Sequence, residues 1–166
     1  MMQKTEAPRP LPYRLAVFAY GVVAYQVGIG ALAAMILILL GVLPFTGGLP
    51  GKLGLGAGLV LDLSLLAAFA LQHSVMARAS FKARWTRIIP AAAERSTYVL
   101  ATGLFLGPLL LFWQPMPAVI WSVEAPLLRW ALIGVALAGW GYMLAASFAI
   151  NHFELFGLQQ VYGVLR

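Results

Sequence analysis

The side chains able to do chemistry fall into two short stretches, His73 to Tyr98 (HSVMARASFKARWTRIIPAAAERSTY) and Asn151 to Val161 (NHFELFGLQQV). The first holds His73, Glu94, Tyr98 and the cations Arg78, Lys82, Arg84, Arg87 and Arg95; the second holds Asn151, His152, Glu154, Gln159 and Gln160. Imidazoles exchange protons near neutral pH, so the two histidines are the natural candidates for proton transfer. The chain has no cysteine, which excludes disulfides, thiolate metal sites and a cysteine nucleophile within it. Two histidines without HxxxH or HExxH spacing do not make a metal site, and none is expected. The glycines lie inside apolar runs with no strand before them, so they form neither a phosphate loop nor a dinucleotide fingerprint.

The elements that must position these residues are set by composition. With 62% hydrophobic residues, 10% charged residues and a mean hydropathy of +0.89, the chain reads as an integral membrane protein. Four apolar runs, roughly 15–45, 53–72, 98–121 and 127–150, each suffice to cross a hydrocarbon core, which takes about 20 helical residues. Unbroken apolar runs point to helices, because a spanning β-barrel needs short alternating segments. The expectation is an all-α, four-helix transmembrane bundle forming a single domain. A loop at 73–97 and a polar tail at 151–166 would carry the chemistry.

The first run exceeds the core thickness and must tilt, bend or protrude, with Gly28 and Gly30 as possible flexible points. A turn is expected over Pro44 to Pro50, aided by Gly47, Gly48 and Gly51. Residues 1–14 do not read as a signal peptide, since the apolar stretch after them is too long and lacks a cleavage site. Nine of the 11 cations, from Lys4, Arg9 and Arg14 through the 73–97 loop to Arg166, fall on one side; Lys52 and Arg129 fall on the other. The positive-inside rule therefore places both termini and both polar stretches in the cytoplasm, with Trp121 and Trp130 in the outer aromatic belt. The net charge of +6 is a topology signal and an attraction to membrane lipid; no nucleic-acid partner is expected.

Asp62 stands inside the second run, where an ionised carboxylate costs about 3 kcal/mol. Eleven residues later His73 returns to nearly the same helix face, with Leu66 and Phe69 between them. Asp62 is either an anchor for helix packing or the inner end of a polar-lined face. Lys82, Arg84 and Arg87 read as retention charges and phospholipid contacts. Glu94, Arg95 and Tyr98 share a boundary face at the start of the third run and suit a ligand role. Pro90 to Arg95 reads as a short helical lead into that run. Asn151 to Val161 reads as an interfacial amphipathic helix broken at Gly157. The pairs Gly54/Gly58 and Gly103/Gly107 have the spacing of close helix packing, within the chain or in a helix–helix oligomer.

The pieces LQHSVMARASFKARWTRIIP, ERSTYVL and NHFELFGLQQVY resemble, in the same order, the bacterial membrane-bound methanethiol S-methyltransferases, relatives of the isoprenylcysteine carboxyl methyltransferases. The resemblance implies S-adenosylmethionine as methyl donor, methanethiol or a similar small thiol as acceptor, and dimethyl sulfide as product. On that mechanism His73, His152 and Glu94 are the catalytic candidates, with His73 or His152 as base or orienting group; Glu94 with Arg95 is expected to form a polar clamp near the cofactor, with Tyr98 and Arg78 close to it, and Asn151, Glu154 and Asp62 are expected near the substrate. Related enzymes carry a His-Pro element and a Glu-Glu pair beyond the fourth span; their absence here leads to the expectation of a fragment of a longer methyltransferase. Two other classes stay open on the residues alone: a small transporter using Asp62, and a non-catalytic membrane subunit binding a partner through its glycine faces.

Overall fold

A computed structural model describes residues 9–44, 53–116 and 118–166. Among these, every regular element is helical. The order is α1 (Leu11–Leu39), α2 (Leu55–Ala77), α3 (Ala79–Trp85), a 3₁₀ turn (Ala91–Ala93), α4 (Glu94–Phe112), α5 (Pro126–Ile150), α6 (His152–Leu155) and α7 (Leu158–Gly163). Four of them, α1, α2, α4 with its 3₁₀ lead, and α5, are long and apolar enough to cross a membrane. This is an integral membrane protein. Lys4, Lys52 and the expected turn glycines Gly47, Gly48 and Gly51 lie outside the described residues.

Helix α4 is the centre of the bundle, with α1 on one side and α2 on the other. Paired residues give the directions. Tyr20 donates its hydroxyl to Thr97 at 2.8 Å and Val27 meets Gly103, so α1 runs parallel to α4. His73 meets Tyr98 and Asp62 meets Gln114, so α2 runs antiparallel. In an apolar solvent, helices associate by close packing, and small residues permit it. A Cβ on Gly103 would lie 2.9 Å from the Val27 carbonyl oxygen, so α1 and α4 touch there backbone to backbone. Of the expected small-residue pairs, the structure uses Gly103 and Gly58; Gly107 and Gly54 face open space.

The helix limits differ from the apolar runs for physical reasons. Helix α1 is unbroken through Gly28 and Gly30 and stops at Leu39, where Gly41 takes a φ of +72°. Gly28 is a packing site against Val99. Helix α2 runs past Gln72 to Ala77, which puts His73 on a helix and not in a loop. Helix α4 starts at Glu94 and stops at Phe112, so Trp121 lies beyond it; the chain turns there because Asp62 captures the Gln114 amide. Helix α5 buries no residue, and its main association is with α6 at its own end.

Helices α6 and α7 fold back under the bundle. Gly157, with a φ of +86°, joins them and presses on Ser96, where an added Cβ would lie 2.6 Å from the Ser96 nitrogen. Val161 of α7 is fully buried against Gly21 of α1, and Arg14 Nε donates to the Val164 carbonyl at 2.6 Å. Backbone contact leaves no side chain free to give way, so Gly103→Ala should destabilise the protein by about 1–3 kcal/mol. Gly107→Ala, with open space at its Cβ, should not destabilise it and should add up to about 1 kcal/mol from helix propensity. Thermal unfolding of the two variants in the same detergent checks the pair.

Candidate functional site

The two polar stretches meet at the first turn of α4, which presents three successive side chains in three directions. Glu94 turns to α3, where Lys82 Nζ lies 3.5 Å from its carboxylate. Arg95 turns to α6, donating to the Glu154 carbonyl at 2.9 Å with the Glu154 carboxylate at 3.7 Å. Ser96, fully buried, donates to the Gly157 carbonyl at 3.3 Å. One turn further, Tyr98 reaches α2. Its hydroxyl lies 2.9 Å from Nε2 and 3.0 Å from Nδ1 of His73, so whichever nitrogen lacks the proton can accept from it. Thr102 adds a hydroxyl 3.4 Å from Nδ1, and Phe69 stacks on the imidazole at 5.6 Å.

His73 and Tyr98 close one end of a groove of about 320 Å³ between α1, α2 and α4. Leu32 and Met35 of α1, Leu106 of α4 and Phe156 form much of its apolar wall. An imidazole held by the Tyr98 and Thr102 hydroxyls at the edge of an apolar groove can take a proton, on the nitrogen that lacks one, from a small apolar acid seated there. Lys82 lies 6.0 Å from the centre of the Tyr98 ring, at the rim of the same group.

His152 has the opposite environment. It is 4% exposed, with Nε2 2.9 Å from the Tyr25 hydroxyl and Nδ1 2.8 Å from the Ser147 hydroxyl. Ser147 has one proton and gives it to the Leu144 carbonyl at 2.7 Å, which cannot itself donate. Nδ1–H therefore donates to Ser147, and Nε2 accepts from Tyr25. A neutral imidazole closes this network. Phe148 stacks on the ring at 4.4 Å and 9°, and Phe156 lies 4.7 Å away.

Asn151 caps α6 through its own side chain, accepting from the Glu154 amide at 3.2 Å from a left-handed φ of 118°. Its amide nitrogen donates to Gln159 at 2.6 Å. A second groove, of about 690 Å³, lies beside it, lined by Phe18, Phe153, Tyr162, Gln159 and Arg166 among others; it shares no lining residue with the first. Asp62, 3% exposed, accepts from the Gln114 backbone N–H at 2.8 Å, and its other oxygen has no partner. It fastens the chain after α4, at the end of the bundle away from His73. Arg78 is exposed at the junction of α2 and α3.

A methanethiol S-methyltransferase of Bradyrhizobium diazoefficiens is 45% identical over 152 residues, covering 90% of this chain and 53% of that protein. One from Mycobacterium tuberculosis is 54% identical over 110 residues, covering 65% of this chain and 44% of that protein. The chain is a homologue of the methanethiol S-methyltransferases. It spans about half the length of the curated relatives it matches. Nurim of Xenopus laevis is more distant, 34% identical over 108 residues, covering 61% of this chain and 38% of that protein. No family model and no solved structure matches.

All three stretches that carry the resemblance to the methyltransferases lie at one end of the bundle, around the start of α4. Glu94 and Arg95 do not form one clamp, since they bond to different helices. Asn151 and Glu154 stay together, with an amide to carboxylate distance of 3.4 Å. Sequence reasoning gave Thr102, Tyr25, Ser147 and Phe156 no role at the site, and read Lys82 as a retention charge and lipid contact. Only Lys82 carried a signal, as a cation at the same boundary as Glu94. The methyltransferase homology supports neither the transporter nor the subunit reading, and Asp62 is bonded as a helix anchor. Asp62→Asn keeps an acceptor for the Gln114 N–H and should hold stability close to wild type. Asp62→Ala strands that N–H and should cost about 1–3 kcal/mol. Detergent melting curves separate the two.

Proposed function

We propose that the whole protein methylates methanethiol, or a similarly small thiol, to dimethyl sulfide, with S-adenosylmethionine as donor. Its setting is the bacterial cytoplasmic membrane, with both termini and the His73–Tyr98 end facing the cytoplasm. The observation that carries this reading is the 45% identity with a methanethiol S-methyltransferase over nine-tenths of the chain. The groove at His73 supports it independently. Its apolar wall suits a small apolar thiol that arrives through lipid.

The donor, when bound, supplies an electrophilic methyl group on a sulfonium sulfur. An adenosyl group carries a purine, a ribose and a charged amino-acid end, and needs several polar partners. The groove offers only His73, Tyr98 and Thr102, with no carboxylate or cation on its wall. The lining of this groove thus fits the acceptor and not the whole donor.

His73 receives the thiol proton on the nitrogen that does not already carry one, and the Tyr98 and Thr102 hydroxyls orient the ring. The resulting thiolate lies against Phe69 and Leu106 of the apolar wall. Methyl transfer cancels the charges of thiolate and sulfonium, so a dry site favours it. Glu94 and Lys82 neutralise one another at the rim, and Arg95 and Glu154 tie the second stretch to α4.

Headspace gas chromatography over cells fed methanethiol tests the proposal, comparing residues 1–166 with the whole reading frame that contains them. Dimethyl sulfide should form from the whole frame. His73→Gln should lower its rate at least about 100-fold, as for loss of a general base, and Tyr98→Phe about tenfold, the worth of one hydrogen bond. Absence of dimethyl sulfide from the whole frame overturns the activity. Normal turnover in His73→Ala, His152→Ala and Glu94→Ala alike overturns the site.

A further inference from the structure

A third groove, of about 360 Å³, lies where α1 passes the stretch that leads into α4. Tyr13, Ala16 and Tyr20 of α1 line one side, and Trp85, Ile89 and Pro90 line the other, among further residues. It shares no lining residue with the two grooves described above. The hydroxyls of Tyr20 and Thr97 that border it are spent inside the protein, Tyr20 donating to Thr97 at 2.8 Å and Thr97 to the Ala93 carbonyl at 2.8 Å. What remains is mainly carbon and aromatic surface, which suits an acyl chain.

The rim of this groove is cationic. Of the nine Lys and Arg among the described residues, all but Arg129 lie at the end of the bundle where α4 begins. The described carboxylates at that end are Glu94 and Glu154, and both are taken, by Lys82 and by Arg95. Arg84 and Arg87 flank Trp85 in a tight turn, where the Arg87 N–H donates to the Arg84 carbonyl at 3.2 Å and the Ile89 N–H to that of Trp85 at 3.1 Å. Both arginines are exposed, and neither meets a carboxylate among the described residues. On the α1 side, the Arg9 guanidinium lies 5.8 Å from the centre of the Tyr13 ring. Ile88, between Arg87 and Ile89, is 76% exposed. Aliphatic and cationic side chains side by side are what a lipid interface favours.

We propose that this groove binds an anionic phospholipid, with one acyl chain between α1 and the Trp85–Pro90 stretch and the phosphate met by Arg84, Arg87 and Arg9. The apolar cleft and the cationic rim repeat the order of such a lipid, chain first and charge after. Guanidinium groups match phosphate through paired N–H donors, and Tyr13 and Trp85 are the aromatic types that settle at headgroup depth. Net negative charge separates this ligand from zwitterionic lipid, because no carboxylate at the rim is left over to repay the arginines. The site touches the functional end without belonging to it. Ala93 and Thr97 line the groove, while Glu94 and Tyr98, each one position further on, meet α3 and α2. A bound lipid therefore braces the first turn of α4 from the α1 side, whatever the protein methylates.

The test uses protein from the whole reading frame, purified in a mild detergent and offered phosphatidylglycerol or phosphatidylcholine with the same acyl chains. Native mass spectrometry should show phosphatidylglycerol retained more than tenfold over phosphatidylcholine. Arg84→Gln and Arg87→Gln should each lower that preference about fivefold, roughly what one cation contributes at an anionic lipid surface. Arg129→Gln, at the other end of the bundle, should not change it. Ala16→Trp fills the groove from an exposed position; it should release phosphatidylglycerol while melting like wild type in lipid-free detergent. An unchanged preference in the double variant Arg84→Gln/Arg87→Gln overturns the headgroup contact. Full retention in Ala16→Trp shows lipid held by charge alone and overturns the groove.

A second readout locates the ligand. The 166 residues hold no cysteine, so Ala16→Cys places a thiol at the groove whose alkylation by a maleimide is read against the parent protein. Phosphatidylglycerol should slow that alkylation several-fold, and phosphatidylcholine or inorganic phosphate should not. Ala83→Cys, exposed on α3 and outside the groove, should react alike throughout. Alkylation at position 16 that is blocked in delipidated protein, with Ala83→Cys reacting freely, shows the groove covered by the rest of the protein or by a second copy and overturns the lipid. Equal rates with and without phosphatidylglycerol overturn it as well.

Discussion

Everything at the functional end depends on the seat that Ser96 makes for Gly157. The serine is fully buried at the first turn of α4, its hydroxyl donates to the Gly157 carbonyl, and a side chain on Gly157 would strike it. Backbone groups buried where the chain folds back against the bundle are cut off from water and must find their partners in protein. Here α4 supplies them. Arg95 takes the Glu154 carbonyl, Gln160 donates to the same carbonyl at 3.2 Å, and Arg14 of α1 takes that of Val164. These bonds fix α6 and α7, and with them Phe156 and His152.

The two histidines then acquire different work from their surroundings alone. His73 sits near the end of α2 with the Tyr98 and Thr102 hydroxyls at bonding distance and a groove before it. His152 is saturated at both nitrogens and walled by phenylalanines. A base needs a free lone pair near its substrate, whereas a pin needs all its valences engaged. Geometry separates the roles where residue type cannot.

Much of the fold was legible because the membrane simplifies the problem. Long apolar runs have few solutions other than helices, and four runs gave four spanning helices. The ends were harder, because polarity marks where a chain meets the interface and not where its backbone stops being helical. Helix α2 carries on through His73 to Ala77 with no apolar signal to announce it. Asp62 could be read as anchor or as polar path; the Gln114 amide, 52 positions away, makes it an anchor. The i, i+4 relation of Glu94 and Tyr98 did place both on the α2 and α3 side, while Arg95, one position on, was carried to α6 by the helical turn.

What the sequence determined by itself was therefore the class, the number of spans, the two reactive stretches and the thiol-methyltransferase resemblance, since each is written in local composition or in contiguous motifs. Tertiary structure alone decided that the stretches share the first turn of α4, that Lys82 pairs with Glu94, and that Phe156 walls the groove of His73. These facts join residues up to more than 80 positions apart. Such pairings are chosen by the packing of helices and by the need to satisfy buried polar atoms, and no local pattern records either.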